Sequence, residues 1–275
     1  MEIIHDNVYS RYNQQQSLDI FLNNYNSSRI NLYDLDGTIH RGKNPNKYNG
    51  YSAVDLSKTL ARKIMFKKPH LLFKYISACL DTKKLKTDLV KIGLCEKEMD
   101  GAITEIFFKG ALQGLPYNLV KSSAKKLPYK AYNKSKETIL ELGKYAKATA
   151  IITKSFSICA EPYKDWFEAN NLEVILDAFN FEIENGKIKD LVRHTSMDKT
   201  EQTHRVIGNS THQYNEALVF GDHDRDLEMV KALKQLNLDY KIIAVNPFPN
   251  ESGALLEKAD FIINGWKGLH SFLNF

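Results

Sequence analysis

The sequence predicts an α/β protein built on a parallel sheet and interrupted early by a helical insert. Three observations predict it. Short apolar runs alternate with helical patterns between residues 129 and 263. A similar run, Ile30–Tyr33, stands far upstream of them. Between the two, residues 49–128 carry helical spacings and no strand signal. Strands alternating with helices imply parallel pairing through right-handed crossovers. The expected organisation is a core made from residues 1–48 and 129–275, with 49–128 as a separate helical unit.

Composition bounds the class. The 275 residues suffice for one large domain or two smaller ones, and 43% hydrophobic with 26% charged is the balance of a soluble globular chain. No apolar run reaches the roughly 18 residues that would span a bilayer, and Met1–Ser10 lacks the apolar core of a secretory signal. Cys79, Cys95 and Cys159 are far apart and form no CxxC pair, so reduced thiols and a cytoplasmic location are expected. The net charge of +5 is uneven: residues 49–128 hold 15 Lys+Arg against 7 Asp+Glu, a net of +8, which leaves −3 for the rest. A basic segment beside an acidic core suggests an anionic substrate or nucleic acid; a solvated, lysine-rich helical surface is the plainer alternative.

Residues 1–29 are polar, and one helix packed on the core or a loose arm are both open. Ile30–Tyr33 is a short buried strand. His40–Gly50, with Gly42, Pro45 and Gly50, has linker composition. From Tyr51 to Leu127 four or five helices are expected: Leu56, Leu60 and Ile64, then Leu71, Leu72, Tyr75 and Ile76, fall at helical spacing, and Glu98–Phe108 repeats it. Pro128 marks the return to the core. A helix is expected over Asn133–Tyr145, a strand over Ala148–Thr153, and a helix over Glu161–Asn170 with Pro162 in its first turn. A strand begins at Val174–Leu176, and Asn185-Gly186 is a two-residue hairpin turn between Phe179–Glu184 and Lys187–Leu191. Asp198–Gly208 is helical, Ala217–Phe220 a strand, Asp224–Leu236 a helix, Tyr240–Val245 a strand and Asp260–Ile263 the last strand.

Such sheets bind ligands at the carboxyl ends of their strands. Asp34 and Asp36 close the first strand, and residues two apart point to the same side. Gly37 allows a sharp turn and Thr38 adds a hydroxyl. Carboxylates this close repel, so a hard divalent cation with oxygen ligands would fit between them; an ordinary strand-to-loop turn is the other reading. A second strand ends in Thr153, and a third runs into Gly221-Asp222-His223-Asp224-Arg225-Asp226.

At these residues the chain resembles the haloacid dehalogenase superfamily, in its phosphoserine-phosphatase-like branch, subfamily IB. Asp34-Leu35-Asp36-Gly37-Thr38 looks like the first motif, Thr153 the second, Lys199 the third, and Gly221-Asp222 with Asp226 the fourth. Ala244-Val245-Asn246-Pro247 resembles the segment that follows. The resemblance implies a Rossmann-like core with an inserted helical cap at 49–128. It implies Asp34 as nucleophile, forming an aspartyl phosphate. It implies Asp36 as the acid and base that protonates the leaving oxygen and then activates water. Mg²⁺ would be held by the Asp34 carboxylate, the Asp36 main-chain carbonyl and the Asp222 carboxylate, with Asp226 orienting its water shell. Thr153 and Lys199 would bind phosphate oxygens. An Asp at position 36 favours phosphate-ester hydrolysis over the ion pumps and dehalogenases of the superfamily.

The expected function is therefore Mg²⁺-dependent hydrolysis of a small phosphomonoester, with the cap reading the leaving group. A phosphotransferase using the same intermediate is the alternative within the enzyme class. A nucleic-acid-binding protein using the basic insert is the alternative outside it, disfavoured because the insert's aromatics fall at core-like spacings. Neither nucleic acid nor membrane is expected as a partner. Lys187 and Lys189 rival Lys199; Lys154, where the family more often has a small residue, could touch substrate or face solvent. His223 and Asp224 read as surface residues and Cys159 as core.

Overall fold

The first 22 residues form a hairpin of β1 (Glu2–His5) and β2 (Val8–Ser10), then helix α1 (Gln14–Leu22). This is neither the single packed helix nor the loose arm that the polar composition suggested. β2 lies antiparallel to a strand more than 250 residues later, with Val8 opposite Ile263. The computed structural model describes residues 1–22, 28–41, 52–67, 69–73, 75–77, 80–81, 84, 108–192, 198–247 and 253–275. The expected helical repeat at Glu98–Phe108, apart from Phe108, and Cys79 and Cys95 lie outside these residues.

The next elements are β3 (Arg29–Tyr33), α2 (Ser52–Lys67), α3 (Tyr117–Ala124), α4 (Ser135–Gly143), β4 (Ala148–Phe156) and α5 (Ser157–Glu168). They are followed by β5 (Val174–Glu184), β6 (Lys187–Val192), α6 (Lys199–Gly208), β7 (Glu216–Gly221), α7 (Leu227–Gln235), β8 (Asp239–Val245), α8 (Gly253–Lys258), β9 (Phe261–Ile263) and α9 (Trp266–Phe272). The strand order is β1-β2-β9-β8-β7-β3-β4-β5-β6, and β3, β4, β7, β8 and β9 pair in parallel. This is the predicted α/β class, with the parallel sheet of a Rossmann-like core.

The described chain divides into two compact units: Met1–Ser52, Lys126–Ala178 and Asp198–Phe275 in the first, Ala53–Lys125 and Phe179–Met197 in the second. The hairpin of residues 179–192 thus clusters with the second unit, whereas the sequence reading kept all of 129–275 in the core. In the second unit Leu56, Leu60 and Ile64 are fully buried along one stripe of α2, while Ile76, expected on a similar stripe, is 45% exposed. Backbone hydrogen bonds from Gly114 to Ile188, Ile188 to Leu115 and Tyr117 to Gly186 tie the loop before α3 to the hairpin, and Phe108 stacks on Phe181.

The first unit is organised by the two faces of β3. Ile30 and Leu32 join Ala150, Ile152, Val219, Ile242, Met229 and Leu233 in one apolar cluster facing α6 and α7. Burying each of the Val, Leu, Ile and Met side chains among them contributes about 1.5–3 kcal/mol. The other face carries Arg29, Asn31 and Tyr33. The Arg29 guanidinium donates to the Ile20 and Phe21 carbonyls at the end of α1, and Asn31 Nδ2 donates to Leu142 O at the end of α4. The Arg29 bonds cap last-turn carbonyls of α1, and Asn31 adds a second donor to a Leu142 carbonyl that already accepts from Tyr145 N–H. Tyr33 stacks on Phe220, which stacks on Trp266 of α9, a helix beyond the last strand that was expected.

Three boundaries differ from the sequence reading in ways that matter for the site. β4 continues past Thr153 to Phe156, so Thr153 lies inside the strand. α5 starts at Ser157, which moves Pro162 from the first turn into the helix interior. Asp224–Asp226 is a separate 3₁₀ turn ahead of α7.

Candidate active site

Register places the chemistry at one rim. Tyr33 stands opposite Ile151 on β4 and Phe220 on β7, so the residues following each strand emerge together. The Asp34 N–H donates to Phe220 O (3.0 Å), extending the β3–β7 ladder by one residue. Directly beyond it the chain turns: Ile39 and His40 N–H both reach Leu35 O, and Gly37 N–H reaches His40 O. Gly37 adopts φ +90°, and a Cβ there would overlap the Asp222 carboxylate. A Cβ on Gly221 would likewise collide with Asp226. Both glycines are present because side chains of the cluster fill the space beside them.

The cluster itself is Asp34, Asp222 and Asp226, all buried, with carboxylate oxygens within 4.8 Å of one another. Lys199, the first residue of α6, sits among them, Nζ lying 2.5 Å from Asp34 Oδ1 and 2.6 Å from Asp226 Oδ1. Asp198 caps that helix by accepting from Thr200 N–H (2.8 Å), and Glu228 Oε2 accepts from Lys199 N–H (3.0 Å). Asp226 Oδ2 accepts from the backbone N–H groups of Asp222 (2.9 Å) and His223 (3.1 Å), which locks the turn after β7. Thr38 Oγ1 lies 3.4 Å from Asp222 Oδ1, and Trp266 Nε1 donates to Thr38 O (2.7 Å).

Three acids and one ammonium leave an excess of negative charge out of water. Burial pushes the Asp34 carboxyl up to about 7, with Lys199 opposing the shift and Asp226 adding to it. Burial, then Asp226 and Asp34, hold Asp222 well above the usual carboxylate range. Burial works against the Lys199 ammonium, yet Asp226 and Asp34 raise its pKa above the ordinary lysine value. An all-oxygen donor set with uncompensated charge fits a hard divalent cation.

Asp36 stands apart from that cluster. Its carboxylate accepts from Ser52 N–H (2.6 Å) and Ser52 Oγ (3.1 Å). Burial raises its pKa, opposed by His40 and by these hydrogen bonds. Thr153 is buried; its Oγ1 accepts from Ser155 N–H (3.0 Å), and its carbonyl accepts from Gln202 Nε2 (2.9 Å). The sequence reading missed Ser52, Ser155, Gln202, Glu228 and Trp266. Only Glu228 carried a signal, lying two residues past Asp226 in the first turn of a helix.

No protein-family model matches this chain, and no curated protein matches it. Solved structures do. The structure of cytosolic 5'-nucleotidase IIIB bound to cytidine superposes with a TM-score of 0.66 at 11% identity, covering 98% of this chain and 92% of that one. A substrate-bound phosphoserine phosphatase gives 0.55 at 18% identity, covering 90% and 97%. A HAD family hydrolase from Salmonella enterica serovar Typhi gives 0.55 at 16% identity, covering 89% and 71%.

The chain has the haloacid dehalogenase fold. On that fold the open roles of several residues take physical form. Lys154 Nζ pairs with Glu228 (3.0 Å), the same carboxylate that accepts from Lys199 N–H. Lys189, a rival to Lys199 in the sequence, is half exposed and pairs with Glu182 and Glu184. His223 Nδ1 accepts from Arg225 N–H, and Asp224 Oδ1 accepts from Leu255 N–H (2.7 Å), so both shape the turn. Cys159 is buried, and burial pushes its thiol up to about 12.

Proposed function

We propose that this protein is a Mg²⁺-dependent hydrolase of small phosphomonoesters. The observation that carries the reading is the meeting of Asp34, Asp222 and Asp226 around the Lys199 ammonium, at the carboxyl rim of a haloacid dehalogenase sheet. Asp34 attacks phosphorus through a carboxylate oxygen; the phosphorus–oxygen bond to the alcohol breaks, and an aspartyl phosphate forms. Asp36 gives its proton to the departing oxygen, then takes one from the water that hydrolyses the acyl phosphate. Thr153 and Lys199 hold phosphate oxygens, and Lys199 offsets charge that builds in the transition state. The Asp34 and Asp222 carboxylates and the Asp36 main-chain carbonyl would hold Mg²⁺, with Asp226 ordering its water. When bound, the ion offsets the repulsion between nucleophile and phosphate.

The order of the motifs supports the phosphoserine-phosphatase-like branch, as does the placement of the insert between the first and second of them. The nucleotidase and phosphoserine phosphatase neighbours support a small phosphorylated metabolite as substrate, read in the cap. A buried free Cys159 is in keeping with a reducing, cytoplasmic setting.

The test is phosphate release from a panel of phosphorylated metabolites, with Mg²⁺ and with chelator. Turnover is expected on part of the panel, lost on chelation and abolished in Asp34→Asn with the fold intact. Undiminished turnover by Asp34→Asn refutes the nucleophile.

A further inference from the structure

Both oxygens of the Asp36 carboxylate are engaged by one residue. Ser52 N–H reaches Oδ1 and Ser52 Oγ reaches Oδ2, at 2.6 and 3.1 Å. Ser52 is fully buried, although it opens a helix sixteen residues beyond the Asp it holds. Its Oγ lies 3.0 Å from Ser155 Oγ, and Ser155 N–H donates to Thr153 Oγ1 at 3.0 Å. A partly buried polar chain therefore runs from Asp36 through Ser52 and Ser155 to Thr153.

A carboxylate gripped at two oxygens by a fork of N–H and O–H has little freedom to rotate. Each oxygen keeps a second lone-pair direction, so the grip leaves room for a proton. Proton transfer depends on holding the acid within a narrow range of distance and angle. We infer that Ser52 is a positioning residue for Asp36: its N–H and hydroxyl fix the carboxylate in the orientation that exchanges a proton with the leaving oxygen, and Ser155 orients the Ser52 hydroxyl. This rests on the phosphatase reading above. It adds a specific requirement, that the first residue of α2 sets the aim of an acid on the loop after β3.

The experiment compares kcat/KM for two esters of similar size. The leaving group of p-nitrophenyl phosphate needs little protonation; that of benzyl phosphate needs it fully. Ser52→Ala is expected to lose about tenfold or more on benzyl phosphate and to stay within about twofold on p-nitrophenyl phosphate. Asp36→Asn should show the same selectivity more strongly, and Ser52→Thr, which keeps the hydroxyl, should restore benzyl phosphate turnover. An equal loss on both esters, no loss on benzyl phosphate, or no recovery in Ser52→Thr overturns the inference while leaving the phosphatase reading standing. Failure of the unmodified protein to release phosphate from these esters and from every member of the metabolite panel overturns that reading, and this inference with it. Thermal melts confirm that each variant is folded; should Ser52→Ala not fold, Ser155→Ala is read in the same way, with a smaller loss expected.

Discussion

The Lys199 ammonium lies against the Asp34 carboxylate, Nζ to Oδ1 2.5 Å, with both side chains at most 8% exposed. Asp226 holds the same nitrogen from the other side at 2.6 Å. Removing the cation would leave three buried carboxylates without compensation. Lys199→Met, which keeps the length and loses the charge, should destabilise the protein by about 3–5 kcal/mol in urea unfolding with chelator present. Mg²⁺ should recover part of that loss, because a cation in the cluster replaces some of the missing charge. An unchanged unfolding midpoint would show that the pair contributes nothing.

The same cluster predicts how stability follows pH. The Asp34 carboxyl is raised from 3.8 to about 7, so the folded state binds its proton more tightly than the unfolded chain. That stabilisation is fully present below pH 3.8 and is lost as pH rises through 7. Asp222 shifts in the same direction, and the raised Lys199 titrates above this window. In chelator, the contribution of the cluster should therefore fall between pH 5 and pH 8. The gain in melting temperature on adding Mg²⁺ should be larger at pH 8 than at pH 5, since the ion competes with those protons. A gain that does not grow with pH sinks the assignment of these carboxylates as the ion's ligands.

Gly37 is where backbone and cluster conflict most directly. Gly37→Ala would strain a φ of +90° and drive a methyl into the Asp222 carboxylate. The expected loss is about 2 kcal/mol or more, with phosphate release falling at least as sharply because Asp222 must move. Gly186→Ala, at φ +72° but in open space, serves as the comparison: it should cost only the backbone strain and spare activity. Equal effects at the two glycines would show that the approach to Asp222 is unimportant.

Trp266 reaches the site through a single hydrogen bond, Nε1 to Thr38 O at 2.7 Å. Trp266→Phe keeps much of the stacking on Phe220 but leaves a buried carbonyl without this donor. A loss of about 1–3 kcal/mol by chemical denaturation is expected. Turnover should also fall, because Thr38 stands beside Asp222. Full activity at unchanged stability would show that the C-terminal helix does not support the loop.

The readings that succeeded were local ones. Ile30–Tyr33, Ala217–Phe220 and Tyr240–Val245 lie within a residue or two of their strands because buried parallel strands are continuous apolar runs flanked by turn residues. Asn185-Gly186 marked its hairpin because a two-residue turn demands left-handed φ, here +50° and +72°. Asp198 marked a helix start because its side chain caps the helix it precedes. β1 and β2 gave no comparable signal: a short strand at a sheet edge owes its existence to its partner, and that partner is β9.

By itself, then, the sequence determined the α/β class, the order of most strands and helices, and that Asp34 follows the first core strand and Asp222 follows β7, since these depend on neighbours along the chain. The tertiary structure alone decided that Lys199 lies between Asp34 and Asp226, that Asp36 turns to Ser52 instead of joining them, that Lys154 pairs with Glu228, and that Trp266 supports Thr38. Each of those contacts joins residues between 16 and 228 positions apart. Which partners meet across such separations is set by strand register and by how each helix packs on the sheet, and neither leaves a trace in local composition or periodicity.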